Sequence, residues 1–302
     1  MKKVLIIYYT QSGQLKDICD SVFNSFDDKE NFIVDYYRIK PVQDFPFPWS
    51  SDEFFDSMPE SVKGIPIELE LDDFPSNKDY DLVVLAYQVW YLSPSIPFNS
   101  FLLSEKAKDF LRGKTVITIL GVRNMWVFAQ ENVKRILKEY DSKLVGNIVL
   151  VDKTNNLVSV ATIIKWLIKG NKGPYKYLPE AGVSQKDVRN ASSFAKPIEE
   201  ALLSDNFANL QNELLKNNAV IIKYHIVNIE KTALKIFHLF AGSILKKGQA
   251  GDRKRIRKVR LFKYYLLFAI YILFPLASLV HMIRKLLFGK SAKKQIKYYQ
   301  GI

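Results

Sequence analysis

The sequence predicts an α/β protein built on a doubly wound parallel sheet. Five short apolar stretches, each suited to a strand that is buried on both faces, alternate with stretches compatible with helices. Alternation of this kind favours parallel strands joined by right-handed crossovers. The predicted strands cover residues 3–9, 32–39, 81–87, 114–120 and 143–151.

Helices are predicted near 14–26, 97–111 and 126–140, followed by an apolar helix at 157–168 and a polar helix near 184–217 that closes the domain. The first domain is therefore expected to span 1–217, and a second segment 218–302.

The connection 41–75 is too long for an ordinary loop and is rich in proline, phenylalanine and acidic residues. Long ordered loops in compact domains tend to be lids or binding loops. We therefore expect this insert to contact a substrate through its aromatic residues, which are Phe45, Phe47, Trp49, Phe54 and Phe55.

Composition excludes several classes of protein. The 302 residues contain one cysteine, Cys19, so neither a disulfide framework nor a cysteine-rich metal site is expected, and no metal is predicted. The apolar run at the start ends after six residues and is followed by polar residues without a small-residue cleavage site, so it is interpreted as a first strand rather than a signal peptide. These features predict a cytoplasmic protein.

Positive charge is concentrated at the C-terminal end. From Val220 onward the chain has 18 Lys and Arg against two acids, whereas the whole chain carries a net charge of +13, so the first 219 residues carry −3. The 20 residues Tyr264–Ile283 lack charge and are long enough to cross a bilayer. Eight basic residues lie in Lys246–Arg260 and six in Arg284–Lys297, a pattern that suits anionic lipid headgroups.

Basic residues on both flanks, with Pro275 in the middle, favour a monotopic or re-entrant helix. A helix that spans the membrane is the alternative. Helical spacing of apolar residues in 220–245 indicates a second membrane-surface helix. A long uncharged core fits nucleic-acid binding poorly, so no nucleic-acid partner is expected. The expected location is the inner face of the cytoplasmic membrane, with an anionic membrane surface as partner.

The loop after the first strand, Thr10–Leu15, has two hydroxyls and a glycine directly before a helix. Backbone N–H groups and the positive end of a helix favour a phosphate there. A simple helix cap by Ser12 is the alternative.

Two further loops have chemistry suited to a flat aromatic ligand. The loop after the third strand contains Gln88, Val89, Trp90 and Tyr91, and the loop after the fourth runs from Gly121 to Trp126. Aromatic side chains supply a flat wall, and loop amides can bind the polar edge of a ring system.

Over residues 1–215 the chain resembles flavodoxin-like, FMN-dependent oxidoreductases of the quinone-reductase type. The resemblance implies a sheet of order 2-1-3-4-5, a phosphate bound by the first loop and an isoalloxazine ring between the other two. One departure is Gln14, where flavodoxins usually have a hydroxyl. The residues implied to bind FMN are Thr10, Ser12, Gly13, Gln14, Leu15, Gln88, Val89, Trp90, Tyr91, Gly121, Arg123, Asn124 and Trp126.

The aromatic insert and basic apolar tail also resemble the dialkylresorcinol "condensing" enzymes of bacterial flexirubin and aryl-polyene pigment pathways. That resemblance implies an aromatase that oxidises a lipophilic dialkylcyclohexane-1,3-dione to a dialkylresorcinol. Because all three histidines lie after residue 220, Tyr87, Tyr91 and Arg123 are the expected catalytic residues, and Tyr8, Asp52 and Glu53 are further acid–base candidates. A membrane-associated NAD(P)H:quinone reductase and a membrane-tethered electron-transfer flavodoxin remain alternatives. Related flavin enzymes often dimerise, so a homodimer is also an open expectation.

Overall fold

A parallel sheet forms the centre of the molecule. The computed structural model describes residues 1–76 and 79–302. Its five parallel strands lie in the order β2-β1-β3-β4-β5, which confirms the predicted doubly wound, flavodoxin-like fold. The strands are β1 (Lys2–Tyr8), β2 (Phe32–Arg38), β3 (Leu82–Tyr87), β4 (Thr115–Val122) and β5 (Lys143–Val151).

The strand order places a ligand site at the end of β1. Every residue of β3 is buried, as expected for a central strand covered on both faces. Strand β1 pairs with β2 on one side and with β3 on the other, so the order of the strands reverses at β1. Ligands of open α/β sheets bind beyond the carboxyl ends of the strands at such a reversal.

Helices flank the sheet and continue past it into the C-terminal segment. In chain order they are α1 (Gln14–Phe23), α2 (Ser51–Asp56), α3 (Met58–Lys63), α4 (Ile96–Leu102), α5 (Glu105–Leu111), α6 (Val127–Glu139), α7 (Asn156–Lys169), α8 (Gln185–Asn190), α9 (Ala195–Leu203), α10 (Leu210–Lys216), α11 (Tyr224–Leu245), α12 (Ile256–Phe268), α13 (Phe274–Leu287) and α14 (Gly289–Gln300).

Two predicted helices are divided. The stretch 97–111 forms α4 and α5 because Ser104 starts a new helix, its hydroxyl accepting the Ala107 N–H at 3.2 Å. The single polar helix predicted near 184–217 is wrong, since the chain there forms α8, α9 and α10. Asp205 has a left-handed φ of 50°, which ends the helical path between α9 and α10.

The insert has its own secondary structure. A short antiparallel pair, Lys40–Pro41 with Leu69–Glu70, closes its base, and α2 and α3 lie between. Helix α2 begins with a capping box, in which the Ser50 hydroxyl accepts the Glu53 N–H and the Glu53 carboxylate accepts the Ser50 N–H.

In the C-terminal segment, one helical run extends from Arg253 to Leu287. It is the one helix of the described residues long and apolar enough to cross a membrane, and its most apolar stretch has no buried residue. The helical run continues through Pro275. A π-helical turn, Ala269–Leu273, directly precedes α13, and its wider spacing relieves the clash between the proline ring and the preceding turn.

A buried ion pair joins this helix to the insert. Arg255 is fully buried, with its Nε 2.6 Å from Asp56 Oδ1. Its two terminal nitrogens donate to both carboxylate oxygens of Glu60, at 2.6 and 2.9 Å. Because Asp56 and Glu60 lie on α2 and α3, the insert forms a platform for the C-terminal helices.

The end of the chain returns to the first domain. The Tyr298 hydroxyl on α14 donates to Glu131 on α6 at 2.8 Å. The carbonyls of Gln300 and Gly301 accept hydrogen bonds from Gln211 and Lys134, at 2.8 and 2.9 Å. Both ends of the long helical run are therefore attached to the same body.

Replacing Arg255 by alanine is expected to lower the free energy of unfolding by about 3–5 kcal/mol, because Asp56 and Glu60 would face each other without a cation. Urea denaturation measures the change. Arg260→Ala is the control, since it removes an exposed pair with Asp52 and should leave the free energy of unfolding nearly unchanged. Equal losses in the two variants would contradict the role given to Arg255.

Candidate functional site

A cavity of about 510 Å³ lies at the carboxyl ends of β1, β3 and β4. Its volume falls in the range of small-molecule sites. One end is polar and is formed by the loops of the sheet, whereas the other is apolar and is formed mainly by helices. The polar end is lined by Gln11, Ser12, Gln14, Gln88, Arg123, Asn124 and Asn156.

The first loop leaves a helix N-terminus open. Gly13 has φ +83°, a left-handed conformation that favours glycine, and its N–H donates to Thr10 Oγ1 at 3.1 Å. No side chain of the described residues caps α1. Ser12, Gln14 and Leu15 line the cavity, while Thr10 and Gly13 shape the loop behind them. This arrangement can bind an anionic group.

Gln14 has a structural partner that explains its departure from the usual hydroxyl. Its amide donates to the Val183 carbonyl at 2.8 Å and accepts the Val183 N–H at 3.0 Å. The approach is close: a Cβ on Gly182 would lie 2.7 Å from Gln14 Oε1 and 2.8 Å from the Trp166 ring. Gln14 therefore ties the first loop to the segment after α7.

A tight hairpin supplies one wall. Val89–Trp90 pairs with Ser93–Pro94, and Tyr91 and Leu92 between them have φ values of 47° and 67°. Two left-handed residues are typical of the two-residue hairpin turn, but non-glycine residues adopt this conformation at an energetic cost. Gln88, Val89, Trp90 and Tyr91 all line the cavity.

Aromatic residues of the insert pack on this hairpin. The Trp49 ring lies 5.7 Å from Trp90, and its Nε1 donates to Gln11 at 3.2 Å. The Phe45 ring lies behind, 5.1 Å from Trp90, and does not line the cavity. The remaining aromatic residues predicted to contact a substrate do line it, namely Phe47, Trp49, Phe54 and Phe55.

The two tyrosines predicted as catalytic lie in different places. The Tyr91 hydroxyl donates to the Phe54 carbonyl at 2.6 Å, and burial raises the pKa of Tyr91 well above its usual value. Tyr87 does not reach the cavity: it is fully buried, stacks on Phe98 and donates to Gln130 at 2.5 Å. The structure therefore brings no tyrosine hydroxyl of this pair to a ligand as a free acid or base.

Arg123 forms a polar cluster with two asparagines. Its Nη1 donates to Asn156 Oδ1 at 2.7 Å, and Asn124 donates to the same oxygen. Burial lowers the pKa of Arg123 to about 10, and Asp152 partly offsets this, so the guanidinium is charged at neutral pH. Within residues 1–76 and 79–302, the buried Asn156 Nδ2 has no hydrogen-bond partner. A cation beside an unpaired donor can hold a carbonyl or an anionic oxygen.

Gly121 and Trp126, both predicted to contact the flavin ring, lie at different cavities. Gly121 lines the cavity, and a Cβ there would come within 3.1 Å of Ile18 on α1. Trp126 is buried before α6 and faces a second cavity of about 450 Å³ instead. The structure therefore does not bring Trp126 to the main cavity.

Glu230 occupies the N-terminus of α6, close to Trp126. Its Oε1 accepts the Phe128 N–H at 2.9 Å, so this residue of α11 caps a helix of the first domain. Burial raises the pKa of Glu230 to about 7, while the amides of α6 partly oppose that shift.

The apolar end was not predicted from the sequence as part of the site. Its walls come from α7, α11 and the run α12–α13, and include Ile163, Ile229, Ala233, Ile236, Leu266, Ile270, Leu273, Phe274, Ala277 and His281. The available signals were the apolar helix at 157–168 and the placement of all three histidines after residue 220. Neither signal shows which faces of α7, α11 and α12–α13 pack around the cavity. His281 Nδ1 is buried without a hydrogen-bond partner in the described part of the chain.

Comparison with known proteins gave structural neighbours only, since no family model and no curated protein matches the chain. The chain is similar to a flavoprotein in complex with FMN from Lactobacillus acidophilus NCFM, at 19% identity over 49% of this chain and 93% of that chain, with a TM-score of 0.37. It is similar to a flavodoxin from the domain Archaea, at 12% identity, 67% and 99% coverage and a TM-score of 0.36. It is also similar to RosB with a bound formylriboflavin phosphate intermediate, at 13% identity, 72% and 81% coverage and a TM-score of 0.40. At these scores the fold assignment rests on the strand order of the sheet.

Glu230 is expected to make the free energy of unfolding depend on pH. Its contribution should fall by up to about 3 kcal/mol as the pH rises from about 4.5 to 7, and should then level off. The folded state holds this proton more tightly than the unfolded state, so raising the pH favours unfolding over that range. Urea denaturation of Glu230→Gln should show that this part of the pH dependence is lost. Glu200→Gln, an exposed control, should retain it. Identical pH profiles for Glu230→Gln and the parent protein would contradict the assignment.

Proposed function

We propose that this protein is an FMN-dependent oxidoreductase with a lipophilic substrate. The observation that carries the proposal is one cavity, at the reversal of strand order, that joins an uncapped helix N-terminus to an aromatic hairpin and a half-buried arginine. In a sheet of this strand order, FMN binds at the switch point between the first and third strands.

The residues present fit the parts of FMN. Ser12 and the backbone amides at the start of α1 would hold the phosphate, while Thr10 and Gly13 keep the loop in shape. The ring system would lie between the hairpin 88–92 and the loop 121–124. The Arg123–Asn156 cluster would then lie at a polar edge, where it can hold negative charge.

The finer proposal is an aromatase that removes a hydride and a proton from a 2,5-dialkylcyclohexane-1,3-dione, leaving a 2,5-dialkylresorcinol. When bound, FMN supplies the two-electron acceptor for the hydride. Arg123 stabilises the enolate oxygen that forms as the proton leaves. His281 is the cavity-lining imidazole with an unpartnered nitrogen within the described residues, so we assign it as the proton acceptor.

Two alternatives share the cofactor. An NAD(P)H:quinone reductase is compatible with the same apolar cavity, because a lipophilic quinone would also fit it. An electron-transfer flavodoxin has less support, since the insert and the C-terminal helices cover the site where a partner protein would approach.

We also propose that the C-terminal segment attaches the protein to an anionic membrane surface at the cytoplasmic face. The outer side of α13 exposes large apolar residues, with Leu276 61% and Leu286 85% exposed, and basic clusters flank the helix on both sides. Since α12 is tied to the insert and α14 to α6, both ends of the run lie on one body. This supports an in-plane helix rather than a span.

The purified protein is expected to bind FMN, with an oxidised-flavin absorption spectrum, and Gly13→Ala is expected to raise the dissociation constant at least tenfold. The left-handed φ at Gly13 disfavours a Cβ, so the loop would lose its shape. Gly113→Ala is the matched control: Gly113 is also left-handed, neither added Cβ meets a described atom within 4 Å, and Gly113 lies outside the cavity. Titration of apoprotein with FMN measures both. A colourless protein that binds no FMN would overturn the proposal.

Under anaerobic conditions, the dione is expected to reduce the bound flavin, and Arg123→Met should slow this step about 10²–10³-fold. Stopped-flow absorbance follows the reduction. Arg112→Met removes an exposed arginine as control and should leave the rate unchanged. Fast reduction by NADPH with no reaction of the dione would instead support the quinone reductase.

A further inference from the structure

The apolar end of the cavity extends beyond the sheet loops that would hold FMN, and its walls come from the segments added to the sheet. From the meeting of α11 with α12–α13 over this cavity, we infer that this end binds the alkyl chain of a membrane-resident substrate, which reaches it directly from the bilayer. The inference rests on the proposed function, because it names where the lipophilic part of that substrate lies.

Small side chains keep this end open. Ala233 on α11 and Ala277 on α13 both line the cavity, between the larger Ile229, Ile236, Ile270 and Phe274. Helices α11 and α13 pack against each other along this stretch. Alanine at these two positions leaves a space bounded by apolar side chains, which suits methylene groups and disfavours water.

One residue of the cavity wall also lies on the surface assigned to the membrane. Leu273 lines the cavity and is also 40% exposed. Its neighbours Ile272 and Leu276 are exposed on the outer side of the same helix. The cavity wall at Leu273 therefore adjoins the apolar surface that the basic flanks would hold against anionic lipid, and we place the entrance for the alkyl chain there.

A helix with apolar residues on all sides needs an apolar environment on all sides. For the uncharged stretch Tyr264–Ile283 the inner environment is the cavity, and the outer environment is provided by acyl chains in the proposed position. A long alkyl chain can therefore pass from one to the other past Leu273 without crossing water, whereas a short polar molecule gains nothing from that path.

The test uses full-length protein and 5-alkylresorcinols with chains from ethyl to heptyl as probes, with binding measured by isothermal titration calorimetry. If the chain is buried, each added methylene should tighten binding about fourfold. Ala277→Phe fills the space and should abolish this gain, so that the ethyl and heptyl probes bind with similar affinity. Leu276→Phe adds an aromatic ring on the outer side of the same helix and should bind like the parent protein.

Ala233→Leu, on the facing helix, repeats the test should Ala277→Phe fail to fold, and circular dichroism reports folding of each variant. A chain-length dependence that survives both substitutions would overturn the inference, as would affinity independent of chain length. Since calorimetry detects the probe with or without flavin, failure of this site is distinguishable from failure of FMN binding, which the apoprotein titration reports.

A second arm tests the route. Decylresorcinol is dissolved in vesicles of phosphatidylglycerol and phosphatidylcholine, or of phosphatidylcholine alone, and the FMN-loaded protein is added. We expect the protein to sediment with the anionic vesicles and the flavin spectrum to shift there alone. A shift of equal size and rate with neutral vesicles that do not bind the protein would contradict access from the bilayer.

Discussion

The covered cavity depends on the buried contact of Arg255 with Asp56 and Glu60. Removing three charges from water is costly, and the cost is offset only when both carboxylates meet the guanidinium in good geometry. Helix α12 can therefore start from one place on the insert. The direction of α12 is then fixed by packing, because Phe262 contacts Phe55 of the insert and Tyr91 of the hairpin.

This docking divides the site into two chemical halves. The loops of the sheet supply hydroxyl, amide and guanidinium groups, which suit a charged cofactor. The insert and the helices after residue 220 supply aromatic and aliphatic walls, which exclude water from the same space. In a low-dielectric cavity, the charge of Arg123 acts more strongly on a developing oxyanion than it would in water. The apolar cover therefore contributes to the chemistry expected at the polar end.

The sequence predicted the features that arise locally. Strands, the glycine loop and the aromatic hairpin follow from short patterns, and the strand order places their ends together. Side-chain direction was harder: Tyr87, still within β3, faces the core, while Gln88 beyond it reaches the cavity. Asn156 and His281 could not be assigned, because their positions depend on how α7 and α13 pack against distant segments.

In the proposed membrane-bound state, the long helix lies along the membrane and does not cross it. The 20 uncharged residues Tyr264–Ile283 are about 30 Å long, which matches the ~30 Å hydrocarbon core, so the attachments at the two ends of the run decide its orientation. A span would carry α14 to the far side of the bilayer, yet α14 packs against α6, where Tyr298 meets Glu131. An in-plane position keeps both attachments and turns the whole outer side toward acyl chains. It would also place Leu273, which is exposed and lines the cavity, at the level where the proposed lipophilic substrate is dissolved. The same helix would then serve as anchor and as one wall of the active site.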